Sequence, residues 1–233
     1  MDKLLIQNAR VYQNGQFVRA DVLCGDALIA KIGENLTDEE ARVIQADGLR
    51  LVPGFIDVHT HGAAGVDVNA ADEAGLRRIA AFFATQGVTA FNASVLTDTP
   101  ETTEKCLGAI ANVMSDRGMG AQLLGAHLEG PFLAKEYKGA MPEALLREGD
   151  EALLRAYQNR FPGVIRYITV SPEVPGVVDM IGKISQDVTV AIGHSGADYD
   201  TSMEAIRRGA RCITHTFLSL IHISEPTRRT PIS

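Results

Sequence analysis

The chain has 233 residues, a formal net charge of −7, 45% hydrophobic residues and 22% charged residues. This length suits one large domain or two small ones, and the composition is that of an ordinary globular protein. The acidic balance argues against a nucleic-acid partner, which requires clustered Lys and Arg side chains. No stretch approaches the roughly 20 apolar residues of a membrane span, so we expect no membrane partner either.

The cysteines favour a reducing compartment. Cys24, Cys106 and Cys212 lie far apart and form no CxxC pair, which is typical of free thiols. The N-terminal residues contain no apolar segment of signal-peptide length. We therefore expect a cytoplasmic protein.

Residues 1–52 form the first expected domain and are rich in β-strand signals. Short runs with β-branched residues are separated by turn formers such as Asn14-Gly15 and Asp47-Gly48. The predicted strands cover residues 4–12, 17–24, 27–33 and 42–46.

After Pro53, apolar strands alternate with helical stretches up to residue 217. This alternation indicates βαβ crossovers and a parallel sheet, so we predict an α/β fold with a TIM-like (β/α) barrel. Such barrels carry their sites at the C-terminal ends of the strands. The predicted strands cover residues 55–59, 88–94, 121–129, 164–173, 188–195 and 212–217. The predicted helices cover residues 71–87, 101–118, 142–160, 176–185 and 201–210.

Two histidines, His59 and His61, lie at the end of the first barrel strand. In an extended segment, residues i and i+2 point to the same face, so both imidazoles can reach one metal ion. Taken alone, this spacing is a weak signal, and a pair of surface or hydrogen-bonded histidines fits it better.

Three further residues strengthen the metal interpretation. Glu129 ends the third strand, and His194 and His215 end the fifth and sixth. Each alone fits an ordinary carboxylate or histidine, but with His59 and His61 they occupy one end of four strands. Imidazole and carboxylate ligands suit Zn²⁺ or Fe²⁺. We therefore predict one or two divalent ions, with Glu129 shared if there are two.

Other residues near the strand ends have weaker assignments. His127 is expected to be a core histidine or one that supports the ligands. Ser171-Pro172-Glu173 either approaches the pocket or simply starts the next helix. Asp57 is expected either to support the ligands or to be structural, whereas Asn92 and Ser94 can line the pocket.

Four stretches carry a family resemblance. LVPGFIDVHTHG, behind a β-rich N-terminal segment, resembles the amidohydrolase superfamily. GAHLEGPFLAKEYKGAMPE, AIGHSGADYD and ITHTF resemble the N-acetylglucosamine-6-phosphate deacetylases more narrowly, over residues 1 to about 217. The resemblance implies that residues 1–52 are the N-terminal part of a small β-sandwich domain. It also implies that residues 53–217 are a partial catalytic barrel, with about six of the eight strands.

The resemblance also implies a reaction and its site residues. The reaction is metal-dependent hydrolysis of the acetamide of N-acetylglucosamine 6-phosphate, which gives glucosamine 6-phosphate and acetate. One metal would use Glu129, His194 and His215, and a second would use His59 and His61. Ala140 and Met141 fall where the family contacts its sugar phosphate. The full-length parent is expected to be a homodimer.

The chain departs from the family pattern after residue 217. Leu218 and Ser219 replace an Asn-Ala-Met stretch, and residues 218–233 are expected to be a non-native tail. The family's catalytic aspartate and phosphate-binding residues belong to later strands. No residue of this chain is therefore expected to be the catalytic base, and the truncated polypeptide is expected to be inactive.

Three alternatives remain at this point. The first is an N-acetylgalactosamine-6-phosphate deacetylase. The second is another amidohydrolase such as a cyclic-amide hydrolase, although Glu129 occupies the place where dihydroorotases usually have a carboxylated lysine. The third is a non-catalytic metal-binding barrel.

Overall fold

The computed structural model describes residues 3–118 and 120–216, so the expected non-native tail lies outside the described residues. The chain forms two compact units, the first ending at Gly54 and the second beginning at Phe55. The first unit has five strands, which agree with the four predicted ones and add a short fifth. They are β1 (Leu4–Gln13), β2 (Gln16–Gly25), β3 (Leu28–Gly33), β4 (Arg42–Gln45) and β5 (Arg50–Leu51).

The first unit is a single mixed sheet. Strand β2 runs antiparallel between β3 and β1, and β1 pairs in parallel with both β4 and β5. Alternating side chains of β1 and β2, among them Val11 and Val22, form its small core. Asp21 anchors the sheet because its carboxylate accepts hydrogen bonds from Asn8 N (2.7 Å) and Leu36 N (2.9 Å).

The second unit is built on a parallel sheet of six strands, which confirms the predicted α/β fold and partial barrel. The strand order is β13-β12-β11-β10-β9-β6, and each neighbouring pair runs in parallel. These strands are β6 (Phe55–Thr60), β9 (Val88–Leu96), β10 (Gln122–Glu129), β11 (Ile165–Val170), β12 (Thr189–Ile192) and β13 (Cys212–Ile213). A small hairpin of β7 (Gly62–Ala63) and β8 (Val66–Asp67) follows β6.

In the described part of the chain, five helices connect the strands and cover the sheet. Their apolar residues, including Ile79, Leu107 and Ile181, are fully buried in one core with the strands. Among the described residues, no helix combines the length and hydropathy needed to cross a bilayer. The helices are α1 (Glu73–Thr85), α2 (Pro100–Val113), α3 (Glu151–Arg160), α4 (Val177–Ile184) and α5 (Tyr199–Arg208).

Helix α3 begins later than the sequence predicts. The prediction of one helix over 142–160 is wrong, because residues 143–145 form only a 3₁₀ turn. Asp150 caps α3 by accepting a hydrogen bond from Leu153 N at 3.0 Å. Just before it, Gly149 packs so closely on Gly176 that a Cβ at Gly149 would lie 2.5 Å from the Gly176 carbonyl carbon. A close backbone approach of this kind leaves no periodic signal in the sequence.

Helix α2 ends at Val113 rather than at residue 118. Beyond this end, the Asp116 carboxylate accepts a hydrogen bond from Arg77 Nε of α1 at 2.9 Å. This contact between helices is not visible in the local sequence.

Cys106 of α2 provides a test of the core. It is 2% exposed, and burial raises the pKa of its thiol to about 11. At pH 8 its thiolate fraction is then about 1 in 1,000, roughly 100-fold below that of a thiol with a pKa near 9. Iodoacetamide is therefore expected to label exposed Cys212 and spare Cys106 in the native chain. Mass spectrometry of peptides from native and urea-unfolded samples tests this, and rapid native labelling of Cys106 would contradict the packing.

Candidate metal centre

The five predicted ligands meet at the C-terminal edge of the parallel sheet. His59 and His61 lie at and just beyond the end of β6, and Glu129 is the last residue of β10. His194 follows β12 by two residues, and His215 follows β13 by the same spacing. Because all six strands run in parallel, their ends share one edge, and the side chains converge there.

Glu129 is at the centre of the cluster and is only 1% exposed. Its Oε1 lies 2.8 Å from His215 Nε2, 3.1 Å from His194 Nε2 and 3.3 Å from His59 Nε2. Its Oε2 lies 3.0 Å from His61 Nε2. One carboxylate therefore contacts four imidazoles, which form two possible metal-binding groups that share it. These are His59-His61-Glu129 and Glu129-His194-His215.

Two of the rings are held with Nε2 facing the cluster. His61 Nδ1 donates to the Ser94 carbonyl oxygen (3.2 Å), and His194 Nδ1 donates to the Tyr137 carbonyl oxygen (2.7 Å). A carbonyl only accepts, so each Nδ1 carries the proton and each neutral ring presents a lone pair at Nε2. Such outer hydrogen bonds orient histidine ligands in metal sites.

This arrangement requires positive charge inside the cluster. A neutral His61 or His194 would direct its Nε2 lone pair at the carboxylate of Glu129, and the Nε2 atoms of His59 and His61 are 3.1 Å apart. Protons or a cation must therefore lie between these atoms. The spacings of 2.8–3.3 Å are close to the donor separation of about 3.3 Å expected around a tetrahedral Zn²⁺ ion. The donor set thus fits a divalent metal.

The pKa shifts of these side chains also indicate a site that attracts positive charge. Burial alone would raise the pKa of Glu129, but hydrogen bonds from His194, His59 and His61 outweigh it and hold the pKa far below its usual range. The hydrogen bond to Glu129 raises the pKa of His194. For His61, burial lowers the pKa, but the hydrogen bond to Glu129 and the negative charge of Glu129 outweigh burial. The pKa of His61 is therefore raised as well. The carboxylate thus stays ionised and attracts cations.

Two candidate ligands have an unusual backbone. His194 has φ = 51° and His215 has φ = 60°, both in the left-handed region, which is uncommon outside Gly although Asn, Asp and His adopt it more often than other residues. Left-handed φ in a residue with a Cβ costs about 1–2 kcal/mol. Strain of this kind concentrates at functional sites, where the surrounding structure holds it in place.

His127 lies beneath the cluster and is completely buried. Its Nδ1 is 2.8 Å from Ser94 Oγ and its Nε2 is 2.8 Å from Thr169 Oγ1, which in turn contacts Thr214 Oγ1 at 2.8 Å. Its ring packs edge-on against His59, with centroids 4.6 Å apart. The structure therefore places His127 in a supporting network, as the sequence suggested, rather than among the candidate ligands.

Replacing His127 by alanine is expected to destabilise the metal-free chain by about 2–4 kcal/mol. The variant leaves a cavity and unpaired hydroxyl groups in the core. Urea unfolding followed by circular dichroism measures the loss. Thr169→Val removes one hydroxyl at almost constant volume but leaves His127 Nε2 and Thr214 Oγ1 without this partner, so it should cost about 1–3 kcal/mol. Equal stability of the wild type and the His127 variant would contradict the network.

The other candidates from the sequence lie outside the cluster. Met141 is buried and Ala140 is exposed, whereas it is their neighbour Gly139 that lies beside His194. Asp57 is structural, since its Oδ1 accepts a hydrogen bond from His59 N at 3.0 Å. Asn92 is buried, and its Oδ1 has no hydrogen-bond partner among the described residues.

Sequence reasoning missed the backbone partners of the imidazoles. The carbonyl groups of Ser94 and Tyr137 are available from any residue type, so no side-chain pattern marks them. The sequence also left the role of Ser171-Pro172-Glu173 open. In the structure, Ser171 Oγ lies 2.6 Å from the His194 carbonyl oxygen. The available sequence signal was a serine near the end of a predicted strand, because the next predicted strand leads into the GHSG stretch.

Curated relatives match nearly the whole chain. An N-acetylglucosamine-6-phosphate deacetylase of Lysinibacillus sphaericus is 31% identical over 216 residues, which cover 92% of this chain and 56% of the relative. The enzyme of the same name from Bos taurus is 36% identical over 231 residues, which cover 94% of this chain and 56% of the relative. The chain thus spans little more than half the length of these relatives.

Solved structures show the same fold. The N-acetyl-D-glucosamine-6-phosphate deacetylase of Mycobacterium smegmatis, a mutant in complex with N-acetyl-D-glucosamine-6-phosphate, has a TM-score of 0.83 and 28% identity. The match covers 93% of this chain and 56% of that one. The Pasteurella multocida enzyme has a TM-score of 0.82 and 25% identity, covering 91% and 56%.

A family model covers most of the chain as well. The model of the amidohydrolase family matches residues 50–228, which include every residue of the candidate metal centre. This match agrees with the parallel sheet and with the position of the cluster at the C-terminal edge of that sheet. The chain belongs to the amidohydrolase family.

Proposed function

We propose that the chain carries the metal centre of a deacetylase that converts N-acetylglucosamine 6-phosphate into glucosamine 6-phosphate and acetate. The observation that carries this proposal is the convergence of four imidazoles on the buried carboxylate of Glu129. The names of the curated and structural relatives support the choice of substrate. The separate free cysteines support placing the enzyme in the cytoplasm, and the family resemblance is the basis for expecting a homodimer in full-length form.

We further propose that two divalent ions, Zn²⁺ or Fe²⁺, share Glu129. His59 and His61 would hold one ion, and His194 and His215 would hold the other. When bound, such ions supply Lewis acidity toward the acetamide carbonyl and acidify water near neutral pH. Glu129 balances their charge, and the hydrogen bonds at Nδ1 of His61 and His194 fix the ring orientations.

The reaction also needs a proton carrier that is free to act on the departing nitrogen. Among the described residues, Glu129 is the one carboxylate that contacts the ring nitrogens of all four candidate histidines, and it serves as a ligand. Asp198 is engaged as the cap of α5, where it accepts a hydrogen bond from Thr201 N. We therefore infer that the 233-residue chain binds metal but does not release acetate by itself.

A chimera tests the function directly. Residues 1–216 would be joined to the part of the Lysinibacillus sphaericus relative that the match does not cover. With added Zn²⁺, this chimera is expected to release acetate from N-acetylglucosamine 6-phosphate. The 233-residue chain and a Glu129→Gln chimera are expected to release none.

The other outcomes distinguish the alternatives. Faster acetate release from N-acetylgalactosamine 6-phosphate would favour the epimeric deacetylase. Hydrolysis of a dihydropyrimidine instead would favour a cyclic-amide hydrolase. A chimera that binds metal but hydrolyses none of these compounds would favour the non-catalytic barrel and contradict the proposed function.

A further inference from the structure

The Ser171-Pro172-Glu173 segment, which the proposed reaction does not use, contacts the backbone on both sides of His194. Ser171 is completely buried. Its Oγ accepts a hydrogen bond from Ala134 N at 2.8 Å and lies 2.6 Å from the His194 carbonyl oxygen and 3.1 Å from that of Gly193. The hydroxyl proton is therefore directed at the His194 turn, mainly at its nearer carbonyl.

Glu173 holds the other side of the same turn. Its Oε2 accepts a hydrogen bond from Ser195 Oγ at 2.7 Å, and its Oε1 accepts one from Gly196 N at 2.6 Å. Bonds to an ionised acceptor are short and strong. Ser195 Oγ in turn accepts a hydrogen bond from Ala197 N at 3.0 Å, which closes the turn.

The turn held in this way contains one of the two left-handed histidines. His194 has φ = 51°, and its Nε2 lies 3.1 Å from Glu129 Oε1. Gly196 also packs closely here, because a Cβ at that position would lie 2.2–2.4 Å from ring atoms of the Tyr137 side chain. The Tyr137 carbonyl is the group that accepts the His194 Nδ1 proton. Backbone and ring of His194 are thus fixed by one connected set of contacts.

We propose that Ser171 and Glu173 are positioning residues, which hold His194 in its left-handed conformation and so aim its Nε2 into the Glu129-His194-His215 group. This role rests on the proposed metal centre. Without these bonds, the backbone of His194 is expected to relax toward negative φ and carry Nε2 away from Glu129. Among the described residues, no hydrogen bond joins this turn to His59 or His61, and Glu129 is the residue that contacts both.

The test compares Glu173→Gln and Ser171→Ala with the wild-type 233-residue chain. Glu173 is exposed, so its variant is expected to fold normally, with an unchanged urea midpoint. Exposed Glu148 makes no hydrogen bond through its side chain among the described residues, so Glu148→Gln is the matched charge control. Zn²⁺ affinity is measured by titration against a chelating dye. The ligand geometry is followed in the visible spectrum of the Co²⁺-loaded chain.

In both variants, the Zn²⁺ ion held by the Glu129-His194-His215 group is expected to bind at least about tenfold less tightly than the same ion in the wild type. Outer partners of a ligand typically contribute 10–100-fold to metal affinity. The Co²⁺ spectrum should change in these variants and stay constant in Glu148→Gln. Affinity and spectrum like those of wild type in Glu173→Gln would overturn the positioning role and leave the metal centre intact. A wild-type chain that binds no metal would overturn the centre itself, and the positioning role with it.

Discussion

Replacing Glu129 by glutamine is expected to weaken Zn²⁺ binding by more than about 100-fold. Outer partners of metal ligands contribute 10–100-fold, and Glu129 is a candidate ligand that both groups share. It also supplies the negative charge that faces four imidazoles. Glutamine keeps the size of the side chain but cannot neutralise a cation. Equilibrium dialysis followed by elemental analysis measures the change.

The control for this variant is Glu148→Gln, which removes an exposed charge and should bind Zn²⁺ like the wild type. Circular dichroism should show the same helix content for all three chains. If Glu129→Gln kept wild-type affinity, the carboxylate would not be a ligand, and the assignment of both groups would be wrong.

Paired histidine substitutions are expected to remove one ion at a time. His59→Asn with His61→Asn should abolish binding of one equivalent, because Glu129, His194 and His215 still form a complete group. The reciprocal pair, His194→Asn with His215→Asn, should likewise leave one equivalent. Asparagine preserves polarity, and its amide is a poor zinc ligand compared with imidazole. Bound zinc per chain is again measured by elemental analysis after dialysis.

The number of equivalents separates two arrangements. Two bound ions in the wild type and one in each double variant would support separate groups that share Glu129. Complete loss of zinc in both double variants would mean that all five residues hold a single ion, which would contradict the two-ion proposal.

Much of the fold was predictable because the alternation of strands and helices is local. The strands after Pro53 were found because each is a short apolar run between turn signals. The error at residues 142–160 arose because Gly149 packs on the Gly176 backbone, a contact between distant segments. The hairpin of β7 and β8 has strands of only two residues each, which is too short for any periodic signal.

The candidate centre was predictable at the level of residues but not of geometry. His59, His61, Glu129, His194 and His215 were found because ligand types recur at strand ends, and parallel strands place their ends together. The sequence did not predict that one carboxylate contacts all four rings. Nor did it indicate the left-handed backbone of two histidines, because φ > 0 is uncommon for any residue other than Gly and no local pattern marks these two positions.

X-ray absorption at the zinc edge of the metal-loaded 233-residue chain tests the central claim most directly. The zinc is expected to have only nitrogen and oxygen ligands at about 2.0–2.2 Å, with the outer-shell scattering of imidazole rings. The three free cysteines lie outside both groups, so sulfur should be absent from the first shell. Sulfur ligands at about 2.3 Å, or less than about half an equivalent of bound zinc per chain, would contradict the central claim.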